Sequence, residues 1–222
     1  MLLEIKNLHA EINKKKILNG INLKLDKGKI YVLTGENGSG KSTFAQILMG
    51  NPKYKITNGK ILLNGKNITN LTVNERAKLG LFLSFQNPTE VDGVKVIAFL
   101  HQAYNIINQE DIYLLDFRHI IKQKAKLLGI KEEFLERDVN KGFSGGEKKK
   151  LEILQLLILN PTLAILDETD SGLDMNALKI VAKEIKNFHG KEKTIFLITH
   201  YDKILKYLKP DKTFVMKEGK II

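Results

Sequence analysis

The sequence predicts an α/β fold with a mainly parallel core sheet, an antiparallel β subdomain at the N-terminus and a helical subdomain inserted in the middle. Three observations predict it. Short unbroken apolar runs at residues 30–33, 163–166 and 195–199 have the length and composition of strands buried on both faces. Helical spacing separates these runs, as a mainly parallel sheet requires. The first 25 residues instead alternate apolar and polar positions, the pattern of antiparallel strands.

The elements follow in order. Leu3, Ile5 and Leu8 mark a strand over 2–9; Ile17, Ile21, Leu23 and Leu25 mark its partner over 17–25. Lys27-Gly28 turns the chain into the buried strand 30–33, which ends in glycine-rich sequence. A helix is expected from Lys41 to Met49, stopped by Gly50, with Pro52 preventing continuation. Residues 60–66 read as another strand, turning at Asn64-Gly65. Helical spacing runs through 94–107, 114–128 and 145–159, and Asn160-Pro161 closes that insertion. A buried strand at 163–166, a helix near 175–188, a buried strand at 195–199 and a hairpin (214–216 and 220–222, split by Glu218-Gly219) complete the chain. The expected organisation is one domain, its catalytic core at 1–89 and 160–222 and its helical subdomain at 90–159.

The 222 residues, 43% hydrophobic and 27% charged, suit one globular domain with a subdomain. The net charge is +11, but the lysines are dispersed apart from Lys14–Lys16 and Lys148–Lys150, without interleaved aromatics. That reads as a solvated basic surface, so no direct nucleic-acid partner is expected. There is no cysteine, which excludes disulfides and thiolate metal sites within the chain, and the five histidines are scattered, with no pair at metal-ligand spacing. Glu4 and Lys6 interrupt the apolar start, so it does not read as a secretory signal, and no apolar run approaches the length of a membrane span. The expectation is a cytoplasmic chain without membrane insertion.

Gly35-Glu36-Asn37-Gly38-Ser39-Gly40-Lys41-Ser42-Thr43 is a complete phosphate-binding loop, placed between an expected strand and an expected helix. Its glycines let successive backbone N–H groups turn inward, and the helix N-terminus adds partial positive charge. Lys41 supplies a cation for the β- and γ-phosphates, and the Ser42 hydroxyl a ligand for Mg²⁺. A chance glycine-rich turn is the competing explanation, and the strand–loop–helix context argues against it. Asp167, ending the run 163–166, is placed to position Mg²⁺ through water. Glu168 follows and is placed to orient and deprotonate an attacking water, against the plainer reading of a solvated acidic loop.

Phe143-Ser144-Gly145-Gly146-Glu147 opens a helix with the spacing of a capping box. Paired glycines weaken a helix start unless something approaches the backbone closely. Lys148, Lys149 and Lys150 sit where cations oppose the helix dipole. Both features suit an anion in front of that terminus.

With these residues in place, Ser144-Gly145-Gly146 resembles the signature of the ABC-type ATPases, which contacts the γ-phosphate held by the opposite subunit. Gln86 is similar to their Q-loop glutamine, Ser171-Gly172-Leu173-Asp174 to their D-loop, and His200 to their switch histidine. The resemblance extends from Gly35 to His200. It implies an ABC-ATPase nucleotide-binding domain that binds ATP with Mg²⁺ and hydrolyses it, closing head-to-tail as a homodimer around two ATP. It implies catalytic roles for Glu168, His200 and Gln86, Mg²⁺ contact for Ser42, Gln86 and Asp167, and nucleotide contact for residues 35–43, Ser144, Gly145, Gly146 and Asp174.

Residues 85–94, 142–150, 167–174 and 199–201 resemble more particularly the ATPase subunit of the SUF iron–sulfur cluster assembly machinery, with Thr169 where transporter ATPases usually carry proline. That implies a scaffold partner of two related β-helical subunits, and a chain without cysteine suits a motor that does not itself hold the cluster. The nucleotide-binding subunit of a membrane transporter is the alternative, and a non-hydrolysing or DNA-associated ABC protein a third. Departures from the family pattern fall at Ile12, where many members place an adenine-stacking aromatic, and at Asn87 and Asp92, where Tyr and Pro are expected.

Overall fold

The computed structural model describes residues 1–222 except Asn87 and Tyr201, and does not describe the side chain of Asp202. Strand β1 (Leu3–Ile12) pairs antiparallel with β2 (Lys15–Leu25), with Leu3 opposite Leu25 and Ile12 opposite Lys15. Asn13 and Lys14 between them both have positive φ (49° and 65°), the backbone that a two-residue hairpin matched to strand twist requires. After β3 (Ile30–Thr34) and α1 (Lys41–Met49), β4 (Lys55–Leu63) returns to the other edge of β1, and β5 (Lys66–Asn67) completes an antiparallel sheet in the order β2-β1-β4-β5.

The chain continues through α2 (Val73–Lys78), β6 (Leu81–Ser84), β7 (Val91–Lys95), α3 (Val96–Asn108) and α4 (Leu114–Leu127). A 3₁₀ turn at Glu132–Glu136 and β8 (Asp138–Val139) lead to α5 (Gly145–Leu159). Then follow β9 (Leu163–Asp167), α6 (Met175–Phe188), β10 (Thr194–Ile198), α7 (Asp202–Leu205), β11 (Lys212–Lys217) and β12 (Lys220–Ile221). The core sheet runs β12-β11-β3-β10-β9-β6, parallel except for β12.

Side chains of the parallel strands alternate between two apolar clusters, one on each face. Ile30, Val32, Ala164, Leu166, Ile195 and Leu197 face the cluster that packs against α3–α6. Tyr31, Leu33, Leu163, Ile165, Phe196 and Ile198 face the cluster shared with α1 and the N-terminal sheet. Burial on both faces explains why these runs carry no polar alternation.

Two expectations need correction. Residues 73–84, left without an element by periodicity, hold α2 and the fully buried β6. Val94, expected in a helix, lies in β7, which leaves α3 to begin at Val96. Pairing with β8 holds that segment extended, with Val91 opposite Val139 and Lys95 opposite Asp138.

The register fixes the site. Leu33 lies beside Ile198, Ile198 beside Asp167, and Leu166 beside Ser84. The loops leaving β3, β6, β9 and β10 therefore emerge at one edge, the carboxyl end of the parallel strands, where open α/β sheets bind ligands.

Candidate active site

The loop from Gly35 to Gly40 is shaped by positive φ at Gly35 (144°), Gly38 (78°) and Gly40 (109°). At Gly35 a Cβ would lie 2.2 Å from the carbonyl oxygen of Met216, so no other residue fits. No side chain caps α1, whose first N–H groups stay available to an anion. Lys41 is only 5% exposed. Its Nζ donates to the carbonyls of Gly35 (2.8 Å) and Glu36 (2.9 Å), which holds the ammonium over the loop. Burial lowers its pKa, and the charges of Glu168 and Asp167 work in the opposite direction.

Asp167 ends β9 at 3% exposure, and its N–H donates to the Ser84 hydroxyl (3.0 Å). Burial pushes its pKa up to about 6; the Ser42 hydroxyl pulls it back, Glu168 raises it, and Lys149 and Lys41 lower it. Its Oδ1 is buried without a hydrogen-bond partner. Glu168 follows with φ at 50°, a left-handed backbone unusual for a glutamate and of the kind that clusters at functional sites. Its N–H donates to Ile198 O (2.9 Å). Gln86 Nε2 donates to Glu168 Oε2 (2.7 Å), and His200 Nε2 stands 3.4 Å from Oε1. Asn37, Gly38, Lys41, Ser42, Gln86, Glu168 and His200 line one cleft of about 450 Å³.

Sequence-predicted residues thus converge from four loops. The donor set also fits Mg²⁺. The Asp167 carboxylate, with one oxygen unpartnered, the Ser42 hydroxyl and the Gln86 side-chain amide are hard oxygen ligands at the phosphate loop. Among the described residues no group of three or more His, Asp or Glu could hold a metal.

Ser144, Gly145, Gly146 and Asp174 do not line this cleft. Ser144 caps α5 in a reciprocal box, its N–H donating to Glu147 Oε2 (2.8 Å) and its Oγ accepting from Glu147 N (3.3 Å). Asp174 caps α6, accepting from the N–H groups of Asn176 and Ala177 (both 2.8 Å). Two of the three lysines after Gly146 are engaged within the protein. Lys148 pairs with Glu90 (2.8 Å), while Lys149 turns inward, 5% exposed, and donates to the carbonyls of Phe85 (2.7 Å) and Gln86 (3.2 Å). Glu152, 3% exposed, pairs with Lys149 (3.2 Å) and accepts the Phe85 N–H. Sequence reasoning missed this clamp on the Gln86 loop. The signal available was a glutamate on the apolar face of α5, three residues after a lysine.

Ile12 lines a second cleft of about 510 Å³ beside the phosphate loop, and Asp92 pairs with Lys141 (3.0 Å). Asn87 and Tyr201 lie outside the described residues. Among the described residues no helix is long and apolar enough to cross a membrane.

The sequence pattern of the family described as ABC transporter matches residues 18–171. A probable ATP-dependent transporter, ycf16, of Cyanophora paradoxa is 49% identical over 225 residues, covering 100% of this chain and 87% of the relative. A probable ABC transporter ATP-binding protein of Streptococcus pyogenes serotype M3 is 49% identical over 223 residues, with the same coverage of 100% and 87%. Among solved structures, a dimeric ATP-binding cassette in a post-hydrolysis state bound to ADP and Pi matches with a TM-score of 0.86 at 19% identity, over 99% of this chain and 96% of that one. An ATP-binding cassette of an ABC transporter matches with a TM-score of 0.80 at 24% identity, over 100% and 89%. The structural matches establish the fold, the sequence matches the family: the chain belongs to the ABC transporter family and is one of its ATP-hydrolysing cassettes.

Proposed function

We propose that this cassette is the motor of a SUF-type iron–sulfur cluster assembly system, closing as a head-to-tail homodimer around two ATP and driving shape change in a β-helical scaffold. The phosphate loop 35–43 binds the triphosphate, with Lys41 as its cation. Ser42, Gln86 and Asp167 would hold Mg²⁺, which would supply charge neutralisation on the phosphate oxygens. Glu168 takes a proton from water as its oxygen bonds to the γ-phosphorus, and the bond to the β-phosphate oxygen breaks to leave ADP and phosphate. Gln86 and His200, one on each oxygen of Glu168, keep that carboxylate aimed into the cleft. Ser144, Gly145, Gly146 and Asp174 serve the nucleotide of the other subunit.

One observation carries the SUF reading: the four stretches that resemble that ATPase, above all 167–174 with Thr169 in place of proline. Thr169 is fully buried, with its hydroxyl oxygen unpartnered, so it is not an ordinary solvent-facing threonine. The relatives are named as probable transporters or transporter ATP-binding proteins, which favours a second reading, the nucleotide-binding subunit of a membrane transporter. Affinity purification of the tagged chain from its native lysate, followed by mass spectrometry, separates the two. Soluble β-helical subunits are the expected co-purifying proteins; a polytopic membrane protein in their place overturns the SUF assignment and leaves the ATPase intact.

A further inference from the structure

The phosphate loop is held from behind by the C-terminal hairpin. Strand β11 runs parallel to β3 with Val215 beside Thr34, so the chain reaches Met216 alongside the start of the loop. There the Met216 carbonyl occupies the space a side chain on Gly35 would need. The hairpin then turns at Glu218 (φ 47°) and Gly219 (φ 73°). The N–H of Gly219 donates to the carbonyl of Ser39, within the loop itself (2.9 Å). The turn is fixed in its own right by Asn19 of β2: the Asn19 N–H donates to Gly219 O (2.9 Å), and its Nδ2 to Glu218 O (2.9 Å). A Cβ on Gly219 would lie 2.0 Å from the carbonyl of Ile17. Glu218, Gly219 and Asn19 line the second cleft together with residues 38–40 of the loop.

We infer that the Glu218-Gly219 turn and Asn19 form a positioning clamp for the phosphate loop, which sets nucleotide affinity without touching the chemistry. The inference rests on the phosphate-loop reading. A carbonyl tied back at Ser39 leaves the neighbouring N–H groups oriented toward the cleft. With the turn displaced, the loop must lose conformational freedom when nucleotide binds, and affinity falls by that amount.

The test is equilibrium titration with a fluorescent ATP analogue, alongside thermal unfolding and steady-state kinetics at saturating ATP. Gly219→Ala and Asn19→Ala are expected to raise Kd by about three- to tenfold, the worth of one or two neutral hydrogen bonds, with kcat preserved. Gly65→Ala is the control. Gly65 also has positive φ (79°), but a Cβ there meets nothing within 4 Å, so the variant carries the same left-handed backbone strain, without the clash, away from the loop. It is expected to lower Tm and leave Kd unchanged. Wild-type Kd in Asn19→Ala, or equal weakening in Gly65→Ala, overturns the clamp; if Gly219→Ala fails to fold, Asn19→Ala decides alone. Failure of the wild-type chain to bind the analogue at all overturns instead the phosphate-loop reading on which the clamp rests.

Discussion

A lysine and a glutamate buried on α5 illustrate how far single residues can be read. Lys41, Asp167 and Glu168 were legible because phosphate and metal chemistry demand those residue types at fixed offsets within contiguous stretches. Lys149 was legible as a cation, but the sequence suggests it faces an anion. Whether a helical side chain points outward depends on what packs there, and here the Gln86 loop covers it. The pair has a pH signature. Burial pushes the Glu152 pKa up to about 7, against the lowering effect of Lys149, the Phe85 N–H and the Lys149 hydrogen bond, with Asp167 adding to the rise. Between its ordinary value of 4.5 and about 7, the folded protein holds a proton that the unfolded chain has released. This contribution to stability is therefore present at the acid end of that window and lost as pH rises to about 7. Glu152→Gln keeps an oxygen for the Phe85 N–H and removes the titration. The stability of the variant relative to wild type should increase from pH 4.5 to 7 and level off above, measured by urea midpoints. A constant difference across that range would mean that the Lys149 charge and the hydrogen bonds offset the burial and leave the Glu152 pKa unshifted.

Among the elements, those with a clean period were the legible ones: α1, α5 and α6 occupy their expected spans, and so do the buried strands to within a residue. Helix α2 escaped because it is only six residues long, Val73–Lys78, and presents no apolar stripe. Its capping box, Thr72 with Glu75, was nevertheless visible in the sequence. The residue it buries is charged. Arg76 is 1% exposed and donates to four carbonyls: Leu71 (2.9 Å), Ile47 (2.8 Å), Leu48 (2.8 Å) and Thr69 (2.7 Å). Burial lowers its pKa to about 10, which still leaves it charged at neutral pH. Ile47 and Leu48 belong to the last turn of α1, where orphan carbonyls carry the negative end of the helix dipole. So α2 pins the far end of the helix whose near end follows the glycine loop 35–40. Arg76→Ala leaves those carbonyls buried without their donor and should destabilise the fold by about 3–5 kcal/mol in urea unfolding. Arg76→Lys, with three donors on one nitrogen, should recover only part of that. An unchanged midpoint in Arg76→Ala would mean that other donors take over these carbonyls and α2 is dispensable to α1.

At the scale of the molecule, the loops at one sheet edge assemble Gln86, Glu168, His200 and the phosphate loop, while the signature stays elsewhere, on the N-terminus of α5. Sequence order alone cannot reveal that separation, because it depends on where the inserted helices sit against the sheet. Among the described residues nothing crowds the signature glycines: a Cβ on Gly145 would meet nothing within 4 Å, and one on Gly146 only Leu173 Cδ2 at 3.7 Å. The demand is met if a second copy brings its nucleotide to that surface, so that each site is built from two chains. Gly145→Asp tests this with little harm to the fold, because an acidic residue in the first turn of α5 complements the helix dipole. Its carboxylate, however, would face the partner's γ-phosphate. ATP should convert Glu168→Gln into a dimer by sedimentation, and adding Gly145→Asp should return it to a monomer that still binds a fluorescent ATP analogue. Complementation is the sharper measurement. Lys41→Ala alone and Gly145→Asp alone should each lack turnover, the first through its own phosphate loop and the second through its partner's site. Mixed, they form a heterodimer in which one site carries both defects and the other is intact, so ATP hydrolysis should reappear. Continued silence of the mixture would mean that the signature acts within its own chain or that both sites must fire together, and turnover by Gly145→Asp alone would remove the signature from the reaction.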